Sequence, residues 1–294
     1  MLFRAYSYII ESDFDLYLPE VHGIPDFYIS SASLSVSQLT YANVYRKGVQ
    51  AQVGYDHLLP VLHWENIATF QVLSPNHLGY KRLGEDDDVF RLFVLSEALG
   101  LLLLQKGLFL LHGSAVKVKD QAMVFLGRPG AGKSTTLAAF AQHNHPILSD
   151  DLTAIGFNAT GQPCVLPGFP QVKIWENSVD NLGFDKKSLQ PAFEGHNKFL
   201  YQQPLSLFPT EPVLLKKVII LQRPYSSKTG AVKFTESPLE FTQHFPLPSY
   251  LLRGDWLKKH FQNSLSIASK VAIEKVARPK TFKALQKWIH DLTH

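Results

Sequence analysis

Residues 127–134 read Gly127-Arg128-Pro129-Gly130-Ala131-Gly132-Lys133-Ser134, a match to G-x-x-x-x-G-K-[ST]. This is the feature that most restricts how the chain can fold. Ala122-Met123-Val124-Phe125-Leu126 before it is fully apolar, as strands buried inside a sheet are. A helix is predicted from about Lys133 to His143. Glycines let the backbone curl so that successive N–H groups face an anion, and the helix adds its positive end. In such a loop the lysine reaches β- and γ-phosphates and the hydroxyl meets Mg²⁺. The candidate nucleotide-binding residues are therefore Gly127, Arg128, Pro129, Gly130, Ala131, Gly132, Lys133, Ser134 and Thr135.

Downstream, Pro146-Ile147-Leu148-Ser149 reads as a short strand ending in Asp150-Asp151. In a parallel sheet this end and the loop would lie side by side, at the edge where ligands bind. One carboxylate could hold Mg²⁺ and the other could accept the proton of an attacking hydroxyl. Adjacent carboxylates repel, and a divalent cation keeps both ionised. Asp pairs also serve as helix caps and solvated turns. His112 ends a strand two elements earlier, within reach of a phosphate or of the base, although a lone histidine is commonly structural. Arg223, after Lys217–Leu221, could stabilise phosphoryl charge or simply face solvent.

Three segments are expected. Residues 1–87 are β-rich, with strands at Tyr6–Ile10, Phe27–Ile29 and Gln50–Tyr55 separated by Pro, Gly and Asp. Residues 88–225 form the loop-bearing core. They open with an apolar helix whose N-terminus carries Asp86-Asp87-Asp88 and whose end is marked by Gly107. Residues 226–294 are a loop and C-terminal helical segment. Within them 224–248 are read as a long loop, and helices are expected at about 250–277 and 280–292. The fold class expected is α/β.

Composition narrows the function classes. Of 294 residues, 45% are hydrophobic and 18% charged, which excludes disordered, collagenous and mucin-like chains. With 29 Lys+Arg against 25 Asp+Glu the formal charge is +4, too small and scattered to argue for nucleic acid. One cysteine, Cys164, leaves no internal disulfide and suits a reducing cytoplasm. No apolar run is long enough to cross a bilayer, so no membrane is expected as a partner, and no signal peptide is read at the start.

His112-Gly113-Ser114-Ala115-Val116, the loop 127–134 and Asp150-Asp151 together resemble the catalytic domain of HPr kinase/phosphorylase, a bacterial serine kinase built on a P-loop. The spacings match as well: 21 residues from His112 to Lys133 and 18 from Lys133 to Asp151. Phe3-Arg4-Ala5-Tyr6, Glu11-Ser12-Asp13, Pro167–Trp175 and Ser178-Val179 are similar to a subgroup found beside lasso-peptide or related peptide-modification genes. The resemblance thins after about residue 225. It implies a P-loop, HPr-kinase-like core sheet with a β-rich N-terminal region and C-terminal helices. It also implies ATP and Mg²⁺ as cofactors, Asp151 as proton acceptor, Asp150 as its partner, and His112 as an active-site residue. Lys133 and Ser134 become the phosphate and metal contacts, and Glu176 a further metal candidate beside Asp150. The acceptor implied is a serine on a peptide or small protein, either HPr or the C-terminal serine of a ribosomal peptide precursor. The family's hexamers imply a homo-oligomer. Its regulatory N-terminal domain and its Leu-x-Glu-x-Arg-Gly segment are not found here. Two other readings stay open: a small-molecule kinase with the same loop, and an ATP-binding regulatory module that transfers no phosphoryl group.

Overall fold

The computed structural model describes residues 1–34, 38–46, 48–56, 59–192 and 197–294. The architecture is mixed α/β. The chain divides into two compact units: Met1–Leu110 with Phe245–His260, and Leu111–His244 with Phe261–His294.

The first unit begins with eight strands: β1 (Leu2–Ala5), β2 (Tyr8–Ser12), β3 (Phe27–Ser31), β4 (Thr40–Arg46), β5 (Val49–Asp56), β6 (Leu59–Trp64), β7 (Ala68–Ser74) and β8 (His77–Arg82). They form one sheet in the order β1-β2-β3-β8-β7-β6-β5-β4. Among the described residues, its only parallel pairs are β2–β3 and β3–β8. The strand read at Tyr6–Ile10 is corrected. Tyr6 and Ser7 have φ of 54° and 62° and turn the chain between β1 and β2, where Ala5 pairs with Tyr8. Two central residues with positive φ fit the twist of a tight hairpin.

Two helices follow, α1 (Asp87–Phe93) and α2 (Leu99–Gln105), joined through a π-helical turn at Val94–Ala98. Asp86 caps α1, its Oδ1 accepting from the N–H groups of Asp88 and Val89 at 3.0 and 2.9 Å. The predicted helix start is borne out here, with the capping oxygen supplied by the first of the three aspartates. Phe90 packs with Phe14, Tyr80 and Phe70 at centroid distances of 4.8, 4.9 and 5.9 Å, and Phe93 lies 5.0 Å from Trp64. Burying each such ring stabilises the unit by roughly 1.5–3 kcal/mol.

The short strand β9 (Phe109–Leu111) spans the boundary between units. Then come β10 (Gly113–Val118), β11 (Gln121–Leu126), α3 (Lys133–Gln142), β12 (Ile147–Ser149), β13 (Thr153–Phe157), β14 (Pro163–Leu166), β15 (Gln171–Trp175) and α4 (Glu176–Leu182). After them run β16 (Gln190–Pro191), β17 (Lys198–Gln202), β18 (Val213–Gln222), β19 (Gly230–Ala231), α5 (Ser237–Thr242), α6 (Gly254–Ala268), β20 (Ala272–Ala277) and α7 (Phe282–Thr293). The main sheet of the second unit runs β12-β10-β11-β18-β14-β13. The first half of β18 pairs with β14 and its second half with β20, which is parallel to it. Helix α3 is buried almost all round, as a central helix must be. Leu137, Ala138 and Phe140 are fully enclosed in a core shared with Phe125, Ile174, Val179, Ile219 and Ile289.

Two further sequence expectations are corrected. The stretch 224–248 is not one long loop, because it holds α5, with Pro238 in its first turn where a missing N–H costs nothing. The helix expected to 277 stops at Ala268. Val271-Ala272-Ile273 then leads into β20, where β-branched residues pair with the apolar end of β18.

Candidate functional site

Four strand ends meet at one edge of the second sheet. Leu126, at the end of β11, pairs with Gly113 at the start of β10 and with Ile220 on β18. Ser149, at the end of β12, pairs with Ala115, while Gln222 pairs with Ala277. The loop 127–132, Asp150-Asp151, Arg223 and Arg278 all leave the sheet at this edge. One expectation about it is corrected: β12 does not neighbour β11. Strand β10 lies between them, antiparallel to both, so Asp150 meets β10 rather than the loop's own strand.

The loop has the curl its glycines predict. Gly130 and Gly132 take φ of 78° and 98°, and Gly132 sits at the N-terminus of α3 without a side-chain cap. Helix α3 therefore presents free amides to an anion. Lys133 folds back and donates from Nζ to the Gly127 carbonyl at 2.8 Å. It is only 8% exposed. Burial lowers its pKa, and the charges of Asp151 and Asp150 push it back up. The lysine and both acids thus share one electrostatic field, although 17 and 18 residues separate them in sequence.

The two aspartates are held differently. Asp150 Oδ1 accepts from Ser114 Oγ at 2.8 Å and from the Asp151 N–H at 3.1 Å. Its Oδ2 accepts from the Lys173 N–H at 3.3 Å. Desolvation, then the Asp151 charge, raise its pKa to about 6, against the pull of Ser114 and Lys173. Asp151 has φ of 64°, a left-handed conformation that aspartate tolerates better than most residues. Its Oδ2 lies 3.5 Å from Lys173 Nζ, and its side chain keeps 32% exposure. Asp150 is the anchored member of the pair and Asp151 the accessible one.

His112 donates its backbone N–H to the His244 carbonyl at 2.6 Å. Both histidines line a cleft of about 670 Å³ together with Gly127–Ala131, Arg223, Lys228 and Lys275. Glu240 also lines it and is paired to Lys275 at 2.5 Å. Burial, reinforced by Lys133, His112, Arg128 and Lys275, lowers the His244 pKa to about 4, so its imidazole is neutral at pH 7. Ser134 is half-buried on the first turn of α3, and Thr135 Oγ1 is 3.0 Å from Ser178 Oγ.

Mg²⁺ takes oxygen donors and commonly borrows phosphate and water beyond one or two protein ligands. Ser134, Asp150 and Asp151 supply such donors, and a cation would relieve the repulsion that raises Asp150, so these residues fit it. Glu176 is engaged elsewhere, 3.0 Å from Lys186 Nζ, which also holds Asp180 at 2.9 Å. Among the described residues no group of three or more His, Cys, Asp or Glu could together hold a metal ion.

Sequence reasoning missed three residues. Lys173 on β15 touches both aspartates, His244 backs His112, and Arg278 lies against the loop. None stands in a motif. Only the alternation of β15, which gives Lys173 the opposite face from the buried Val172 and Ile174, hinted at any of them.

Among the described residues no helix is long and apolar enough to cross a membrane. No family model matches the chain, and no curated protein matches it. The solved structure of the Hpr(Ser) kinase/phosphatase from Coxiella burnetii superposes with a TM-score of 0.32 at 11% identity. The match covers 62% of this chain and 92% of that one, and is too loose to transfer a role to any residue.

Proposed function

We propose that the protein is an ATP- and Mg²⁺-dependent kinase with an HPr-kinase-like core, which transfers the γ-phosphoryl group to a serine hydroxyl of a peptide or small protein. The observation that carries this reading is the pairing of a phosphate-type loop with two acids at one sheet edge, coupled through Lys133. Residues 127–135 would cradle the nucleotide phosphates. Asp151, the accessible carboxylate, would take the hydroxyl proton, and Asp150, fixed by Ser114 and Lys173, would hold the pair in place. Ser134 and Asp150 would hold Mg²⁺, which when bound neutralises charge building on the phosphates. His112 and Arg223 line the adjoining basic cleft, where a developing negative charge would be stabilised.

The test is transfer from γ-labelled ATP with Mg²⁺ to HPr, to precursor peptides ending in serine, and to small hydroxylated metabolites. Label on a serine supports the reading. Label on a metabolite alone replaces it with a small-molecule kinase, and nucleotide binding with label on none replaces it with a regulatory module.

A further inference from the structure

A second cavity, of about 360 Å³, opens at the first turn of α3, just past the loop. Thr135, Trp175, Asn177, Arg278, Lys280 and Phe282 are among its lining residues. That volume lies in the range of small-molecule sites. The cavity is tied to the loop through two residues. Thr135 is on the first turn of α3, next to Ser134. Arg278 follows β20, its N–H donating to the Gln222 carbonyl at 3.0 Å, and crosses the start of the helix. A β-carbon placed on Gly132 would fall 2.5 Å from Arg278 Cδ and 2.6 Å from its Nη1. The Nε atom of Arg278 is buried and has no hydrogen-bond partner among the described residues. A guanidinium held against a phosphate-type loop with a donor unspent is suited to an anion arriving there.

The two spaces beside the loop differ in chemistry. The cleft of 670 Å³ is lined by Arg128, Arg223, Lys228 and the Lys275–Glu240 pair, with Gln222, Gln243 and two histidines, and by no Phe, Tyr or Trp among the described residues. The smaller cavity has Trp175, which is 51% exposed, and Phe282, with amide and hydroxyl groups from Asn177, Ser178 and Thr281. Flat aromatic surface beside donors and acceptors suits a nucleobase and a sugar, whereas a lining dominated by cations and lacking such surface suits charge better. We infer that the nucleoside end of the bound nucleotide extends from the loop into the cavity lined by Trp175, Asn177 and Phe282, with Arg278 at its mouth against the phosphates. This inference rests on the loop holding a nucleotide, as proposed above.

Calorimetry on the full chain with Mg²⁺ separates the two ideas, because inorganic tripolyphosphate offers the loop its phosphates without a base. The wild type is expected to bind ATP about 10- to 100-fold more tightly than tripolyphosphate, the range base stacking supplies. Asn177→Trp fills the cavity, and the ratio of the two affinities should collapse towards one. Trp175→Ala should move the ratio the same way, so the idea stays testable should either variant fail to fold by circular dichroism. Equal affinities in the wild type, or a ratio that survives the folded variants, overturns the nucleoside site and leaves the loop reading standing. Binding of neither compound overturns the loop reading.

Discussion

Burial shifts both Lys133 and Asp150 towards their neutral forms; the charges of Asp151 and Asp150 oppose this at the lysine, and Ser114 and Lys173 oppose it at Asp150. Lys133→Ala removes the ammonium that answers both acids, so ATP binding in calorimetry and phosphoryl transfer should both be lost. Native affinity would refute the loop assignment. Asp151→Asn keeps the size of the side chain but not its basicity. It should slow single-turnover transfer by about 10²–10⁴-fold while ATP still binds. A native rate would remove Asp151 as the base. Asp150 supports a thermodynamic prediction. Its folded pKa, about 6, lies above the ordinary 3.8, so the fold holds this proton more tightly than the unfolded chain does. The stability it contributes is fully present below about pH 4 and is lost as pH rises through about 6. The melting temperature of ligand-free Asp150→Asn should therefore gain on the wild type between pH 4 and pH 7. A difference that does not change with pH would contradict the burial argument.

At the scale of elements, the turn from β11 into α3 depends on Gly132. Its φ of 98° strains any residue with a β-carbon, and that carbon would also have to displace the Arg278 side chain. Gly132→Ala should cost about 1–3 kcal/mol in denaturant unfolding and weaken ATP binding together. A variant that is native in both would show that the loop tolerates other shapes. This element was legible in the sequence because glycine, lysine and an apolar strand leave few alternative structures. The place of β12 was not. Local sequence specifies that a hairpin forms from β10 and β11, but not which side of it the next strand joins. Strand β20 was hidden because Ser264–Ile273 keeps helical spacing until β-branched residues meet an open edge of β18. Lys173, His244 and Arg278 were invisible for a related reason. Each reaches the site through pairings between distant segments, and no spacing records those.

On the whole-molecule scale, each unit buries aromatic residues of its own, Phe90, Phe70 and Trp64 in the first and Phe125 and Phe140 with Ile219 in the second. Phe90→Ala empties the middle of the first and should cost about 3–5 kcal/mol. Amide exchange should accelerate in β6 and β7 while β11 and β18 keep their protection. Equal acceleration in all four strands would mean that the chain unfolds as one. The β-rich start and the loop-bearing centre were readable from strand composition. The return of Phe245–His260 to the first unit was not, since nothing local marks a segment for a distant core. That return has a consequence for biosynthesis. The first unit lacks a piece of itself until His260, about 150 residues after Leu110, has left the ribosome, roughly 8–30 s at ordinary elongation speeds. During that interval Phe109 lacks the His260 ring stacked on it and Gly100 lacks Leu247, and a nascent chain with such apolar surface uncovered is the kind of client that chaperones shelter.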